Sequence, residues 1–415
     1  MTLAHPSPTL RIGTVARFSL PTSPVARCLH QIRTLPHADR TALRDSLGLS
    51  QPSVARHVSS LIDVGLVRQT SPSSPETASP RTGRPGNQLL PDGHHLALLG
   101  AHVGLRSTQL VACDAAGRIL SHRKVPLDMA EVDADEALEA IGHGLASLAP
   151  AGVPIVSAGL ALSAHVDESG LVSSETYRWD QVDPAAHIGS QLGVPIAVAG
   201  GVAAMAGHEL AATPLAIQSE ANDVQPESTL YFYAREFVGH AWVFNGAVHR
   251  PHSGATSRAF QRIGAQGSFD LTPPGGTHPL SSTSLLTAAA NKGIPAHTVA
   301  ELVQLGRRST SKYQKPAADL LDERAELLSK SIALAVDIVD PQALVFAGEA
   351  FTIDPEAIRV VASTLRQQPG LRRSLRLQTA SSSILLDAAK TVALNALWMN
   401  PLEVLHERFG DAGWN

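Results

Sequence analysis

At 415 residues the chain is too long for a single ordinary core, so two or three domains are expected. Hydrophobic content of 44% suits a packed globular protein, and only two cysteines, Cys28 and Cys113, rule out a disulfide framework or a four-cysteine metal site. The net charge of −4 is unevenly spread: residues 1–90 carry ten arginines, no lysine and four acids, so a head of +6 precedes a body of −10.

Residues 1–23 are rich in Pro, Ser and Thr without a continuous apolar run. They read as a flexible N-terminal arm, and neither a signal peptide nor a membrane anchor is indicated. With so few cysteines, a cytoplasmic protein with no membrane partner is expected. Val25, Ala26, Leu29 and Ile32 recur at helical spacing and predict a first helix. Residues 39–67, DRTALRDSLGLSQPSVARHVSSLIDVGLV, then outline a helix-turn-helix. Ala42, Leu43 and Leu47 face inward on the helix before the break, and Gly48 supplies the permissive backbone of the turn. Ser50 caps the next helix, with Gln51 and Pro52 in its first turn. Val54, Val58, Leu61 and Ile62 form one buried stripe. Ser50, Gln51, Ser53, Arg56, His57 and Ser60 are left to donate to phosphates or base edges.

Gly65 stops this helix, and Leu66-Val67-Arg68 starts a strand of a wing. The Pro/Ser-rich stretch from residue 70 to 83 reads as a mobile wing loop. Arg81 and Arg84 in and beside it are candidates for the minor groove. A bare helix-turn-helix pattern is equally an ordinary hairpin with a polar face. The basic head tips the balance toward a winged helix-turn-helix over residues 24–92 that binds double-stranded DNA.

From Leu96 the pattern changes to α/β. Strands are predicted at Leu96–Gly104, Gln109–Cys113, Ile119–His122, Val156–Ser163 and Pro195–Ala199, with helices at Asp135–Leu148 and Ala185–Leu192. A second set follows, with strands near Ser228–Tyr233, His240–Phe244 and Ala343–Phe346 and a long helix at Ala317–Val339. The two sets repeat one theme.

The segments LSQPSVARHVSSLIDVGLV, TGRPGNQL, CDAAGRIL, Asn245-Gly246 and AVDIVDPQALVFAGE, in this order and spacing, resemble the ROK family (repressors, open reading frames and kinases) over roughly residues 24–400. The resemblance implies a two-lobed ribonuclease-H-like body of the actin and sugar-kinase type over residues 93–415. Lobe one would span about 93–200 and lobe two about 201–390, with a C-terminal helical segment returning toward lobe one. It further implies a homodimer or a tetramer.

Kinases of the family need an aspartate base for the sugar hydroxyl and glycine turns for ATP phosphates. The family alignment places Gly200 and Gly201 where the Asn and the base are expected, with Glu209 retained. Glycine cannot accept a proton. The first phosphate turn reads His102-Val103-Gly104-Leu105-Arg106, where Leu105 is expected to fill the phosphate space, and the second reads Arg235-Glu236-Phe237-Val238-Gly239. The family's zinc cysteines are missing after Cys113, and His249 and His252 read as loop histidines, so no metal and no cofactor are expected.

The sugar-contacting Glu-x-x-His of the family aligns with Arg258 and Gln261. The cleft, with Gly201, Asn245, Arg258 and Gln261 as effector residues, would then favour a sugar or an anionic sugar derivative. The expected function is a DNA-binding regulator, a repressor, with a catalytically inactive sugar-kinase-like body for oligomerisation and effector sensing. The alternative is an ATP-dependent sugar kinase, disfavoured by Gly201.

Overall fold

A six-stranded and a five-stranded sheet are built on one plan. In the first, the strands run in the order Thr14–Val15, Ile196–Gly200, Ile155–Leu162, Ala97–Val103, Thr108–Asp114 and Ile119–Val125. The last three form an antiparallel meander, and the others join it in parallel. In the second, Arg376–Thr379, Ala343–Ala347, Ser228–Ala234, Val238–Phe244 and Ala247–Val248 repeat that order and those directions. The computed structural model describes residues 14–70, 87–215, 227–251, 258–269, 277–367, 376–379 and 383–410.

The central strand Ala97–Val103 is buried at every position. A strand covered on both faces has no use for alternation, which explains its continuous apolar run. One face packs Leu99 and Ala101 with Leu138, Ile141 and Ile188 of the helices Ala134–Leu148 and Pro184–Leu192. The other face takes the helix Ile384–Met399, and glycine lets it come close. A Cβ on Gly100 would stand 2.6 Å from the Ala389 oxygen, and one on Gly159 would stand 2.3 Å from the Ala393 nitrogen. Ser157 Oγ donates to Ala393 O, so a segment late in the chain closes the first lobe.

The second lobe is cored by the helix Gln314–Val339, three residues longer at its start than predicted, with the helices Ser282–Asn291, Val299–Arg308 and Pro355–Arg366 around it. Those last three were not among the predicted elements.

The head holds the helices Pro24–Thr34, Arg40–Leu47 and Gln51–Asp63 and the antiparallel hairpin Val67–Thr70 with Gln88–Pro91. Its core is continuous with the body: Leu29, Leu43, Val58 and Leu89 share one apolar cluster with Leu98, Leu397 and Leu405. Polar bonds reinforce the join, since His30 Nε2 lies 2.7 Å from the Thr213 oxygen and Gln31 exchanges bonds with the Leu215 backbone.

One expectation needs correcting at the N-terminus. Residues 14–23 are not a free arm. Thr14–Val15 add a parallel strand to the edge of the first sheet, and Ala16 N donates to Val198 O. The chain then crosses to the second sheet, where Leu20 N donates to Gly246 O and Phe18 O accepts from Val248 N. Phe18 is buried against Gly207. Unpaired backbone at a sheet edge recruits such a segment whatever its side chains, so composition alone misread it.

Candidate nucleic-acid interface and interlobe cleft

The second helix of the helix-turn-helix forms as its sequence dictates. Asp39 caps the preceding helix by accepting from Ala42 N at 2.7 Å, and Gly48 ends it in the left-handed region at φ 65°. Ser50 then caps Gln51–Asp63 by accepting from Ser53 N at 3.4 Å. Val54, Val58 and Leu61 are buried, while Ile62 is only half-buried. Ala42 is likewise only half-buried. The opposite face presents Ser50, Gln51 and Arg56 exposed, with Ser53, His57 and Ser60 half-buried beside them.

Each side chain on this face has a distinct standing. Arg56 is exposed and its guanidinium is available. Ser60 Oγ already donates to the Arg56 carbonyl at 3.2 Å. Partial burial, with the Arg56 charge second, lowers the pKa of His57, so the ring is neutral near pH 7. Arg40, which sequence reasoning passed over, reaches the wing and donates to Gln69 Oε1 at 2.7 Å. Arg81 and Arg84 lie outside the described residues.

Between the lobes opens a cleft of about 530 Å³. Gly200 closes the strand Ile196–Gly200 and Gly201 opens the helix Gly201–Ala212, whose first turn has no side-chain cap. Both glycines line the cleft, and a Cβ on Gly200 would meet nothing within 4 Å. His102 stands directly behind, its Nε2 3.2 Å from where a Cβ of residue 201 would be. Both ring nitrogens of this buried histidine have no hydrogen-bond partner among the described residues, and burial pushes its pKa down to about 4. Neither feature had a sequence signal beyond the departure from the family's phosphate turn.

The effector residues expected from sequence do not assemble as a set. Gly201 lines the cleft, but Asn245 does not. With Gly246 it forms the hairpin turn after Val238–Phe244, both at positive φ, as a two-residue turn of this hand requires. Gln261 is exposed outside the cleft lining, and the side chain of Arg258 lies outside the described residues, as does His252. In their place the cleft gains Arg17 from the N-terminal segment and Arg250.

The two phosphate turns also differ from expectation in detail. Leu105 does not fill the cleft; its side chain is buried in the core of the first lobe with Met129 and Leu138. In the second turn Phe237 covers Gly239, where an added Cβ would stand 2.4 Å from the ring, and the Phe237 side chain lines the cleft. Glu236 accepts from both the backbone nitrogen and the hydroxyl of Thr283, at 3.1 and 2.6 Å, at the start of the helix Ser282–Asn291. A carboxylate thus holds that helix N-terminus, and it would repel a phosphate placed there.

Among the described residues no helix is long and apolar enough to cross a membrane. Transcriptional regulator Mb0495 of Mycobacterium bovis is 29% identical over 411 residues, covering 92% of this chain and 87% of the relative. Transcriptional regulator Rv0485 of Mycobacterium tuberculosis matches equally well. The fold is that of a crystallised ROK family transcriptional regulator homologous to the E. coli MLC protein, with a TM-score of 0.67, 16% identity, and 92% of this chain and 98% of that one covered. A ROK family glucokinase from Streptomyces griseus, solved with glucose and AMPPNP, shares the body with a TM-score of 0.56 and 17% identity, over 72% of this chain and 99% of that one. The ROK family model matches residues 98–383. With that span, more than half its length, this chain belongs to the ROK family.

Proposed function

We propose that this protein is a DNA-binding transcriptional regulator, a repressor, whose ROK body senses an effector and pairs subunits without transferring phosphate. The observation that carries this reading is the exposed polar face of Gln51–Asp63, set beside a wing on a basic head. An α-helix of this kind fits the major groove, where Gln51, Ser53, Arg56 and His57 would meet base edges and Ser50 and Ser60 the backbone. Arg84, and Arg81 before it, would enter the neighbouring minor groove. Two heads are needed for an operator of two half-sites, hence a homodimer or a pair of dimers. The naming of relatives as transcriptional regulators supports the same reading.

The body offers little to a kinase mechanism. Gly201 has no group to take a hydroxyl proton, and the Glu236 carboxylate occupies the start of the helix Ser282–Asn291. A cleft open between two lobes nevertheless remains, and a ligand that prefers one lobe arrangement would reset the spacing of the heads. Genome-wide mapping of bound DNA, followed by footprinting of the mapped sites with wild type and Arg56→Ala, tests the regulator reading. Protection by wild type that weakens in the variant is expected; no protected site at all would refute it. A coupled kinase assay with glucose and ATP is expected to show no turnover above the protein-free rate.

A further inference from the structure

The wing rests on one short stretch of the head. Its strands Val67–Thr70 and Gln88–Pro91 pair over four residues, and a two-stranded hairpin of that size is at best marginally stable by itself. Val67 and Leu89 give it an apolar footing, both buried in the core of the head. Each strand is then tied separately. Leu89 N donates to Ala38 O at 2.8 Å, and Arg40 Nη1 donates to Gln69 Oε1 at 2.7 Å. Asp39, between the two, caps the helix Arg40–Leu47 through Ala42 N. Three consecutive residues thus hold one wing strand, the start of the helix-turn-helix and the other wing strand.

The two ties differ in kind. The Ala38–Leu89 bond is backbone to backbone and indifferent to side chains, whereas the Arg40–Gln69 bond exists only because of these two residues. Gln69 is exposed and Arg40 half-buried, so the bond between them adds little to the stability of the fold. Its leverage is geometric. Gln69 is the next-to-last residue of its strand, opposite Leu89, and the exposed Arg68 precedes it. The chain goes on from Thr70 to Arg81 and Arg84. A tilt of the hairpin on its buried footing would carry all of these, and a bond near the far end of the strand opposes that tilt.

We propose that Arg40 is a positioning residue for DNA recognition: by holding Gln69 it fixes the wing against the reading helix Gln51–Asp63, so that the two meet neighbouring grooves together. The assignment rests on the regulator reading and names the side chain that sets its geometry. Arg40 acts through Gln69 and not through a phosphate. Fixing wing and helix before DNA arrives spares the complex the cost of ordering the hairpin on binding.

Two variants of the full chain break the tie from opposite ends. Arg40→Met removes the donor and keeps the stem and the helix propensity; Gln69→Val removes the acceptor, keeps the strand propensity and leaves every charge in place. Amide hydrogen exchange on the DNA-free protein is expected to quicken about three- to fivefold across the wing strands in both variants, with the unfolding midpoint unmoved. Fluorescence anisotropy on a fragment recovered by the genome-wide mapping is expected to show each variant binding about three- to fivefold more weakly than wild type. The double variant should be no weaker than either single one, and all three should share one salt slope, because one tie is lost in each. Additive losses, wing amides that exchange as in wild type, or a Gln69→Val that binds like wild type would each overturn the assignment. So would a salt slope lowered by about 1 in Arg40→Met alone, the mark of a direct phosphate contact. Wild type that binds no mapped fragment would bring down the regulator reading and this assignment with it, whereas wild-type binding shared by unaffected variants would strike the assignment alone.

Discussion

The guanidinium carbon of Arg33 lies 3.0 Å above the centre of the Trp398 indole ring, and the indole nitrogen donates to the Ala115 carbonyl at 2.9 Å. Arg33 belongs to the first head helix and Trp398 to the helix that closes the first lobe, so one stacked pair spans head and body. Burial pushes the pKa of Arg33 down to about 9, still high enough to keep it charged at neutral pH. The ring face compensates part of the desolvation that the charge suffers.

Removing the ring should therefore hurt more than removing the charge. Trp398→Ala is expected to lower the unfolding free energy by about 3–5 kcal/mol, from lost packing and a buried arginine left without its partner. Arg33→Met keeps the volume and drops the charge, and should stay within about 1.5 kcal/mol of wild type. Urea denaturation followed by circular dichroism measures both. If Trp398→Ala costs under about 1 kcal/mol, the indole is not what anchors the head.

The same closing helix depends on two glycines of the sheet below it. Gly159→Ala would press a methyl to 2.3 Å from the Ala393 nitrogen, backbone against backbone. Neither element can yield without displacing its neighbours, so a loss of at least about 1–3 kcal/mol is expected. Gly193→Ala makes the useful contrast. Its Cβ would meet nothing within 4 Å, but its backbone is left-handed at φ 64°, so any loss there comes from the backbone alone. A smaller shift in urea midpoint for Gly159→Ala than for Gly193→Ala would contradict the close-approach argument.

Much of this arrangement was legible in the sequence because the relevant signals are local. The caps Asp39 and Ser50, the turn glycine Gly48 and the stripe Val54-Val58-Leu61 each act within a few residues, and the structure forms the helices they specify. The buried strands around Ala97–Val103 and Ala343–Ala347 announce themselves as apolar runs. What escaped is nonlocal. The edge strand Thr14–Val15 is recruited by a neighbour about 180 residues on, and Arg17 reaches the cleft only because of that pairing. Asn245 shows the opposite case: its backbone role as a turn residue is local, whereas whether it joins the cleft lining is not, and the lining does not include it. The helix Val299–Arg308 is the exception, for its signal is local: Thr298 caps it by accepting from Glu301 N, and Val299, Leu302 and Val303 form its buried stripe.

Three buried histidines and a half-buried one make stability depend on pH. Burial, the largest cause in each, lowers the pKa of His30, His102, His240 and His278 to about 4. The folded value lies below the unfolded one near 6.5, so the unfolded chain binds more protons between them. Stability from these groups is thus full above about pH 6.5 and drains away as pH falls toward about 4, by about 3 kcal/mol per histidine. His30→Gln retains a donor for the Thr213 oxygen and cannot titrate. Its unfolding free energy is expected to fall less steeply than wild type between about pH 6.5 and about pH 5. Identical slopes would show that His30 is not kept neutral by the fold.

On the reading helix, Arg56 and Ser60 separate two kinds of contact. Arg56 is exposed with its guanidinium free to reach DNA, whereas the Ser60 hydroxyl is already committed to the Arg56 carbonyl at 3.2 Å. Arg56→Ala should cost about 1–3 kcal/mol of binding on a mapped operator if the arginine reads a base, with relaxed preference at one position. A phosphate contact would instead weaken all sequences alike and lower the salt slope by about 1. Ser60→Ala should change affinity by less than about threefold, since water can replace the little its hydroxyl offers. Fluorescence anisotropy across a salt series, on the operator and on single-base variants of it, distinguishes these cases. A larger loss for Ser60→Ala than for Arg56→Ala would mean that the face of Gln51–Asp63 turned to DNA is not the one that carries Arg56.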